Sequence, residues 1–473
     1  MSGFSLTGLM IQKPDYDVAV VGGGNAALCA AITARRAGAR VIVLERAPRD
    51  FRGGNSRHTR NFRCLHTTPG EYLTGVYGED EFLSDLHSVN GGAIDETLAR
   101  LAIRQSATCP EWMAMEGVRF QAALHGTLQL GRTNLFFLGG GKALMNSYYA
   151  SAERMGIDVL YDADVSNLHF TGNRLESVEV AVNGRVRTIC AASVVIASGG
   201  FEANLDWLRE VWGDAANNFI VRGTPYNTGV PLKRMLEAGA QSVGEPRECH
   251  AIAVDARAPR FDGGIVTRLD CIPLGIVVNS LGQRFYDEGE DVWPKRYAIW
   301  GKLIARQPGQ IAYSIVDARS ANAFMPSVYP PVVANSIPEL ARQLTVPAGA
   351  LQSTVDAFNR AVRAGTLNLG GPDDCRTEGL NPEKTHWAQR LDAPPFWAYP
   401  LRPGITFTYL GLKVDERTRV CMSDGQPAAN VYAAGEVMAG NILLRGYLAG
   451  FGMTIGTVFG RIAGEEAARH AGR

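Results

Sequence analysis

Gly22, Gly24 and Ala27 hold the small-residue positions of a G-x-G-x-x-G/A spacing within Asp17–Arg46, DVAVVGGGNAALCAAITARRAGARVIVLER. That spacing serves to cradle a pyrophosphate. The first small residue makes a tight turn, the second lets phosphate approach the backbone, and the third lets helix touch strand. Glu45 and Arg46 close the stretch, where a carboxylate can accept hydrogen bonds from a ribose. The flanking elements come in the required order. Val18–Val21 is an apolar run of strand length. Asn25–Ala37 has no Pro or Gly and predicts a helix, opened by Asn25 and Ala26, with its N-terminus toward phosphate. Gly38 stops it, and Val41–Leu44 reads as the next strand.

Three further stretches repeat this logic. Val194–Gly200, VVIASGG, is a strand running into a small turn that sets Ser198 and Gly199 against the same ligand. In Asn430–Gly464 a short strand, Val431–Ala433, precedes Gly435-Glu436, and Gly450–Met453 opens a long apolar helix. Its first N–H groups, at Gly452 and Met453, would face an electron-rich ligand edge. Gly139–Asp158 reads as glycine entry, helix and turn, ahead of Val159–Leu168, where Val165 lies in a strand able to pair with an adenine edge.

The 473 residues of the whole chain predict two domains, and 46% hydrophobic content supports a large core. Net charge is zero, which argues against nucleic acid as a partner. Only seven of the 47 basic residues are lysine, and guanidinium forks suit a substrate with several carboxylates. The eight cysteines (29, 64, 109, 190, 249, 271, 375, 421) show neither C-x-x-C nor metal spacing, so free thiols, no bound metal and a cytoplasmic setting are expected. Residues 1–16 lack the features of a secretory leader, and no apolar run is long enough to span a membrane.

The chain resembles the flavoprotein family of fumarate reductase and succinate dehydrogenase, which also holds aspartate oxidase and ketosteroid dehydrogenase. The resemblance rests on VVGGGNAALCAA (20–31), LER (44–46), GGNS (53–56), VVIASGGF (194–201), NTGVPLKRMLEAGA (227–240), VVNSLGQRFYDE (277–288), YAAGEV (432–437) and FGRIAGEEAA (459–468). It implies FAD as cofactor. It also implies an α/β fold: a Rossmann-like FAD-binding domain, glutathione-reductase-like, with an inserted α+β cap. Residues 1–244 plus 376–473 would form the first and 245–375 the second, with breaker-rich hinges at Gly244-Glu245-Pro246 and Gly370-Gly371-Pro372. Gly54, Asn55 and Ser56 match the loop at pyrophosphate and flavin. Asn55 stands where membrane-bound relatives carry a flavin-linked histidine, so the FAD is expected to be non-covalent, although His58 lies three residues on. Glu436 matches a glutamate that bonds the ribityl chain.

The resemblance also implies hydride transfer at a C–C bond beside a carboxylate or carbonyl, with proton exchange at the adjacent carbon. It nominates His250, Arg445 and Arg296 as catalytic, with Lys295 competing with Arg296. Arg268, Arg60 and Tyr409 are candidates for substrate binding, and Arg57, Arg60 and Arg63 form a basic run beside the flavin loop. Phe407 stands where reductases place a substrate histidine. The words GGNSRHTRN (53–61) and EGEDVWPKRYAIWG (288–301) are similar to the tricarballylate dehydrogenase branch, so a small polycarboxylate is the expected substrate. Tyr409 and Tyr447 would instead suit a ketone. There is no C-x-x-C-H and no cluster cysteine set, so a separate electron acceptor is expected, a membrane iron–sulfur or haem protein, with the chain itself at most membrane-associated through that partner. A module whose role is docking a redox partner is the reading from another class.

Overall fold

The computed structural model describes residues 14–92 and 94–473. The reading of residues 1–16 as lacking a leader falls almost wholly outside them. Tyr16–Val21, Val41–Leu44, Asp158–Leu160, Ala191–Ile196 and Pro427–Ala433 form a parallel sheet, edged by Arg419–Cys421 running antiparallel. From that edge the order is 419–421, 427–433, 191–196, 16–21, 41–44, 158–160. Val18, Ala19, Val20 and Val43 are fully buried, which is why these strands read as continuous apolar runs rather than alternating ones.

The helices Asn25–Arg36 and Phe451–His470 lie against one another although they come from opposite ends of the chain. Gly460 and Gly464 make this approach close. A Cβ on Gly460 would sit 2.5 Å from the Ala26 carbonyl oxygen, and one on Gly464 would sit 2.3 Å from that of Ala30. An added methyl at either site would force the helices apart, an overpacking cost of roughly 1–3 kcal/mol. The Asn25 side chain then ties the two helix starts together, its Nδ2 donating to the Met453 carbonyl at 3.3 Å and to Thr457 Oγ1 at 3.1 Å.

The second sheet is organised on one long strand, Phe396–Thr408. Cys249–Asp255, Ala312–Asp317 and Val332–Ala334 pair with it antiparallel, Ile220–Val221 pairs parallel, and Ile276–Asn279 extends the sheet. This sheet therefore draws strands from both sides of the 245–375 segment. A separate core of Ile276, Ile315, Leu340, Leu351 and Phe358 lies on it. The fold is thus α/β, with a parallel-sheet unit and a second sheet built on the long strand that forms the cap. No helix among the described residues is long and apolar enough to cross a membrane. All eight cysteines are free thiols, and no three His, Cys, Asp or Glu side chains converge as a metal site among the described residues.

Candidate active site

The parallel strands end at a single long cleft that encloses about 1220 Å³, part of it continuous with solvent. Val21-Gly22, Leu44-Glu45, Ala197-Ser198 and Ala434-Gly435 line it, each just beyond the carboxyl end of a strand. That is where an open parallel sheet binds its ligand. All the expected cofactor residues stand on this wall: Gly22, Gly24, Asn25, Ala26, Glu45, Arg46, Gly54, Asn55, Ser56, Val165, Ser198, Gly199, Gly435, Glu436, Gly452 and Met453.

The wall suits a dinucleotide in its details. The helix Asn25–Arg36 has no acidic residue in its first turn, so no protein anion competes at its positive end. A Cβ on Gly24 would meet nothing nearer than Ser56 Oγ at 3.6 Å and the Gly53 carbonyl at 3.7 Å, so the face that glycine leaves bare opens into the cleft. Ser198 Oγ is buried there without a hydrogen-bond partner. A pyrophosphate would fill that space and satisfy that hydroxyl.

Two contacts differ from the expected pattern. Glu45 lines the cleft, but its oxygens already accept from Ala47 N at 2.8 Å, Gly53 N at 3.2 Å and Tyr149 Oη at 3.3 Å. Burial pushes its carboxyl above the ordinary range. Its role includes holding the 47–53 loop. Gly452 N–H donates to Tyr447 Oη at 2.9 Å, so at that residue the helix start is capped by a phenol.

The opposite end of the cleft is lined by His250, Arg222, Thr406, Phe407 and Tyr447. Pairing with the long strand places them. His250 lies across from Phe407, and the register slips between His250 and Ala251, a bulge of the kind that re-aims a side chain. Arg222 follows the short strand Ile220–Val221 and its N–H donates to the Ile405 carbonyl at 2.9 Å. Arg222 is 6% exposed; its Nε reaches Thr406 Oγ1 at 3.1 Å and its Nη1 the His58 carbonyl at 3.4 Å. The His250 ring is buried with neither nitrogen hydrogen-bonded. Burial first, then the charges of Arg222 and Lys302, hold its pKa well below the usual 6.5.

The other nominated residues lie off the wall. Arg296 is drawn to Glu290 at 3.3 Å, and Lys295 to Asp85 at 2.7 Å. Arg445 is exposed, its carbonyl taken by Lys302 Nζ at 2.7 Å. Tyr409 is fully buried, donating to the Gly446 carbonyl at 2.8 Å. Arg268 and Arg60 are buried behind the reactive end on Asp270, at 2.7 and 3.4 Å. Arg268 also sits 4.6 Å over the ring of Tyr297, whose phenol is pushed up to about 12 by burial. Arg222 is the cation that sequence reading missed. The available signal was an arginine ending the apolar run FIV (219–221), an expensive place for a charge.

This architecture is that of a flavin-dependent oxidoreductase. The chain belongs to the FAD binding domain family, whose model matches residues 17–450. It is 26% identical over 471 residues to NADH:fumarate oxidoreductase of Klebsiella pneumoniae (strain 342), covering 96% of this chain and 48% of that protein. It therefore spans about half the length of that relative. It is 27% identical to probable fumarate reductase Ifc3 of Shewanella frigidimarina (strain NCIMB 400), covering 96% of this chain and 75% of the relative. The 3-ketosteroid-delta4-(5alpha)-dehydrogenase structure from Rhodococcus jostii RHA1 shares the fold, with a TM-score of 0.73, 22% identity and coverage of 97% and 98%. FAD is accordingly the cofactor.

Proposed function

We propose that this enzyme adds or removes hydrogen across a C–C bond next to a carboxylate of a small acid. The observation that carries the reading is the pairing of Arg222 with His250 at the reactive end: a buried guanidinium beside a buried imidazole with no partner of its own. Bound FAD supplies the two-electron acceptor or donor for a hydride. The residues of the cofactor wall would hold it non-covalently, since Asn55 stands at the position where some relatives carry a linking histidine.

Arg222 binds and polarises the substrate carboxylate, making the adjacent C–H more acidic. Its Nε bond to Thr406 fixes the direction of the fork. His250, kept neutral by burial, takes the proton from that carbon in oxidation and returns it in reduction. Phe407 and Tyr447 close the end against water.

Tricarballylate, oxidised to cis-aconitate, is the finer reading. Arg60 and Arg268 both pair with the single carboxylate of Asp270, whose charge reaches Arg222 only at longer range, leaving excess positive charge behind this end of the cleft. A ketone is the second reading, favoured by Tyr447, whose oxygen accepts from Gly452 N–H and whose own O–H is left to donate to a carbonyl oxygen. A separate electron carrier completes the cycle, since a flavin that has exchanged two electrons with the acid must exchange them again with a second reactant.

The test is anaerobic mixing of the FAD-loaded enzyme with tricarballylate, succinate and a cyclic ketone. Bleaching of the flavin absorbance by tricarballylate, followed by turnover with a redox dye, supports the reading. Bleaching by the ketone alone replaces it with the second. Bleaching by none in a wide panel of acids and ketones leaves the module that docks a redox partner.

A further inference from the structure

Glu202 and Glu436 stand side by side in the cofactor wall. Glu202 is fully buried, and Glu436 is reached from the cleft. Each has one oxygen already supplied with donors. Glu202 Oε1 accepts from the amides of Asn55 at 2.5 Å and Asn227 at 2.8 Å. Glu436 Oε1 accepts from Thr408 N at 2.8 Å and Thr408 Oγ1 at 3.3 Å. Glu202 Oε2 is buried and has no donor.

Gly200 brings the two together. The position a Cβ would take there lies 2.3 Å from Glu436 Oε1 and 2.8 Å from Glu202 Oε2, so only a residue without a side chain lets both carboxyls converge. No cation is among the main influences on either carboxyl. The other ionisable groups facing this wall are Tyr447, whose phenol burial keeps protonated, and Arg222, whose Nε is spent on Thr406 Oγ1. Two carboxylates side by side in a buried site cannot both be ionised cheaply. An acceptor left without a donor adds a further penalty. One proton between them removes both costs.

We propose that Glu202 and Glu436 share a single proton, so that the pair carries one negative charge at neutral pH, with Glu202 the positioning residue that keeps the proton on Glu436. Burial lifts both carboxyls above their ordinary range, and Glu436 is lifted further by the charge of Glu202 and a hydrogen bond to it. The consequence is chemical. Glu436 presents a neutral acid to the cofactor, and the wall does not set two anions against a flavin that gains negative charge on reduction. The pair belongs to the cofactor wall, so it stands whatever the substrate.

Infrared difference spectroscopy of the purified protein tests it. At pH 7 the wild-type protein should show the carbonyl stretch of a protonated carboxylic acid, shifted by deuterium and by carboxyl-13C glutamate. Glu202→Gln and Glu436→Gln should each abolish that band, because the new amide donates to the remaining carboxylate. Absence of a glutamate-derived band at pH 7 overturns the proposal, as does its survival in either variant. Glu45, whose carboxyl burial also raises, is replaced by Gln in a control, and the glutamate band that persists there belongs to the pair, so the decision does not depend on the Glu202 and Glu436 variants folding.

Discussion

The imidazole of His250 lies flat on the phenol ring of Tyr447, with ring centroids 3.9 Å apart and planes 3° from parallel, while Tyr297 meets the imidazole edge-on at 5.3 Å. The stack holds the ring upright at the cleft and shields it from water. A buried imidazole binds its proton poorly, so His250 stays neutral in the native state well below pH 6.5, whereas in the unfolded chain it protonates near 6.5. The unfolded state therefore binds more protons in that window, and the stability contributed by neutral burial is present above pH 6.5 and lost as pH falls below it. His250→Asn should remove this dependence. Thermal melts from pH 7.5 to 5.5 should show the wild type losing up to about 1.4 kcal/mol per pH unit below 6.5 relative to the variant. Parallel curves would mean His250 titrates normally. The same variant should keep FAD and lose roughly 10²–10⁴-fold in kcat, the range of a positioned acid–base group.

Arg222 carries the carboxylate in this reading, and its fork is aimed by Thr406. A charge-assisted hydrogen bond is worth about 1.5–3 kcal/mol, so Arg222→Gln should lower kcat/KM for an acidic substrate by roughly 10- to 150-fold. Arg222→Lys should recover little of it, because an ammonium cannot hold Thr406 and a carboxylate in one plane. Steady-state kinetics with a redox dye decide this. Retention of full kcat/KM in Arg222→Gln would leave the carboxylate without its cation.

Arg296 offers the contrary case. The resemblance nominates it as the acid–base group, yet it is held by Glu290 at 3.3 Å and lies off the cleft. Arg296→Gln is expected to leave kcat within about threefold, since losing a partly exposed ion pair costs of order 1 kcal/mol in stability and touches no reacting atom. A fall comparable to that of His250→Asn would return Arg296 to the site by a closure of the cap.

The difference between these residues shows what a sequence makes legible. Gly22 and Glu45 follow directly on strands of one parallel sheet, and Ser198 and Glu436 come within three residues of theirs, so finding the strands also finds the wall. The start of the helix Phe451–His470 was equally plain, because glycine followed by a long apolar run has few alternatives. The reactive end obeys no such rule. Arg222, His250 and Phe407 meet because three strands far apart in sequence pair in one register, with a bulge at His250. One residue of slip would turn these side chains to the other face. Glu202 was hidden for a related reason: its partners Asn55, Asn227 and Glu436 come from three separate segments of the chain.

Gly22 and Gly24 separate folding from binding within one turn. Gly22 has φ of +113°, and a Cβ there would lie 2.3 Å from the Ala197 carbonyl oxygen. Gly22→Ala should therefore destabilise the protein itself, by about 1–3 kcal/mol from backbone strain alone. Gly24→Val meets no protein atom at its Cβ closer than 3.6 Å, so the melting temperature without cofactor should hardly move while FAD affinity collapses. Calorimetry paired with flavin titration reads both. Equal loss of stability in the two variants would mean that the bare face of Gly24 serves packing and not the cofactor.

Asn55 bears on how the flavin would be held. Its Nδ2 is taken by Glu202 and by the Thr406 carbonyl at 2.8 Å, and its Oδ1 accepts from Thr224 N at 2.9 Å, so the side chain is a structural tie and an amide is no nucleophile. His58, the other residue near enough in sequence to form a bond, turns its Nε2 to Asp262 at 2.7 Å. The yellow chromophore should therefore separate completely from the polypeptide on acid precipitation, and the denatured chain should run without flavin fluorescence at the mass of the unmodified protein. Fluorescence that stays with the chain would place a covalent link at His58, and His58→Asn would then be expected to release it.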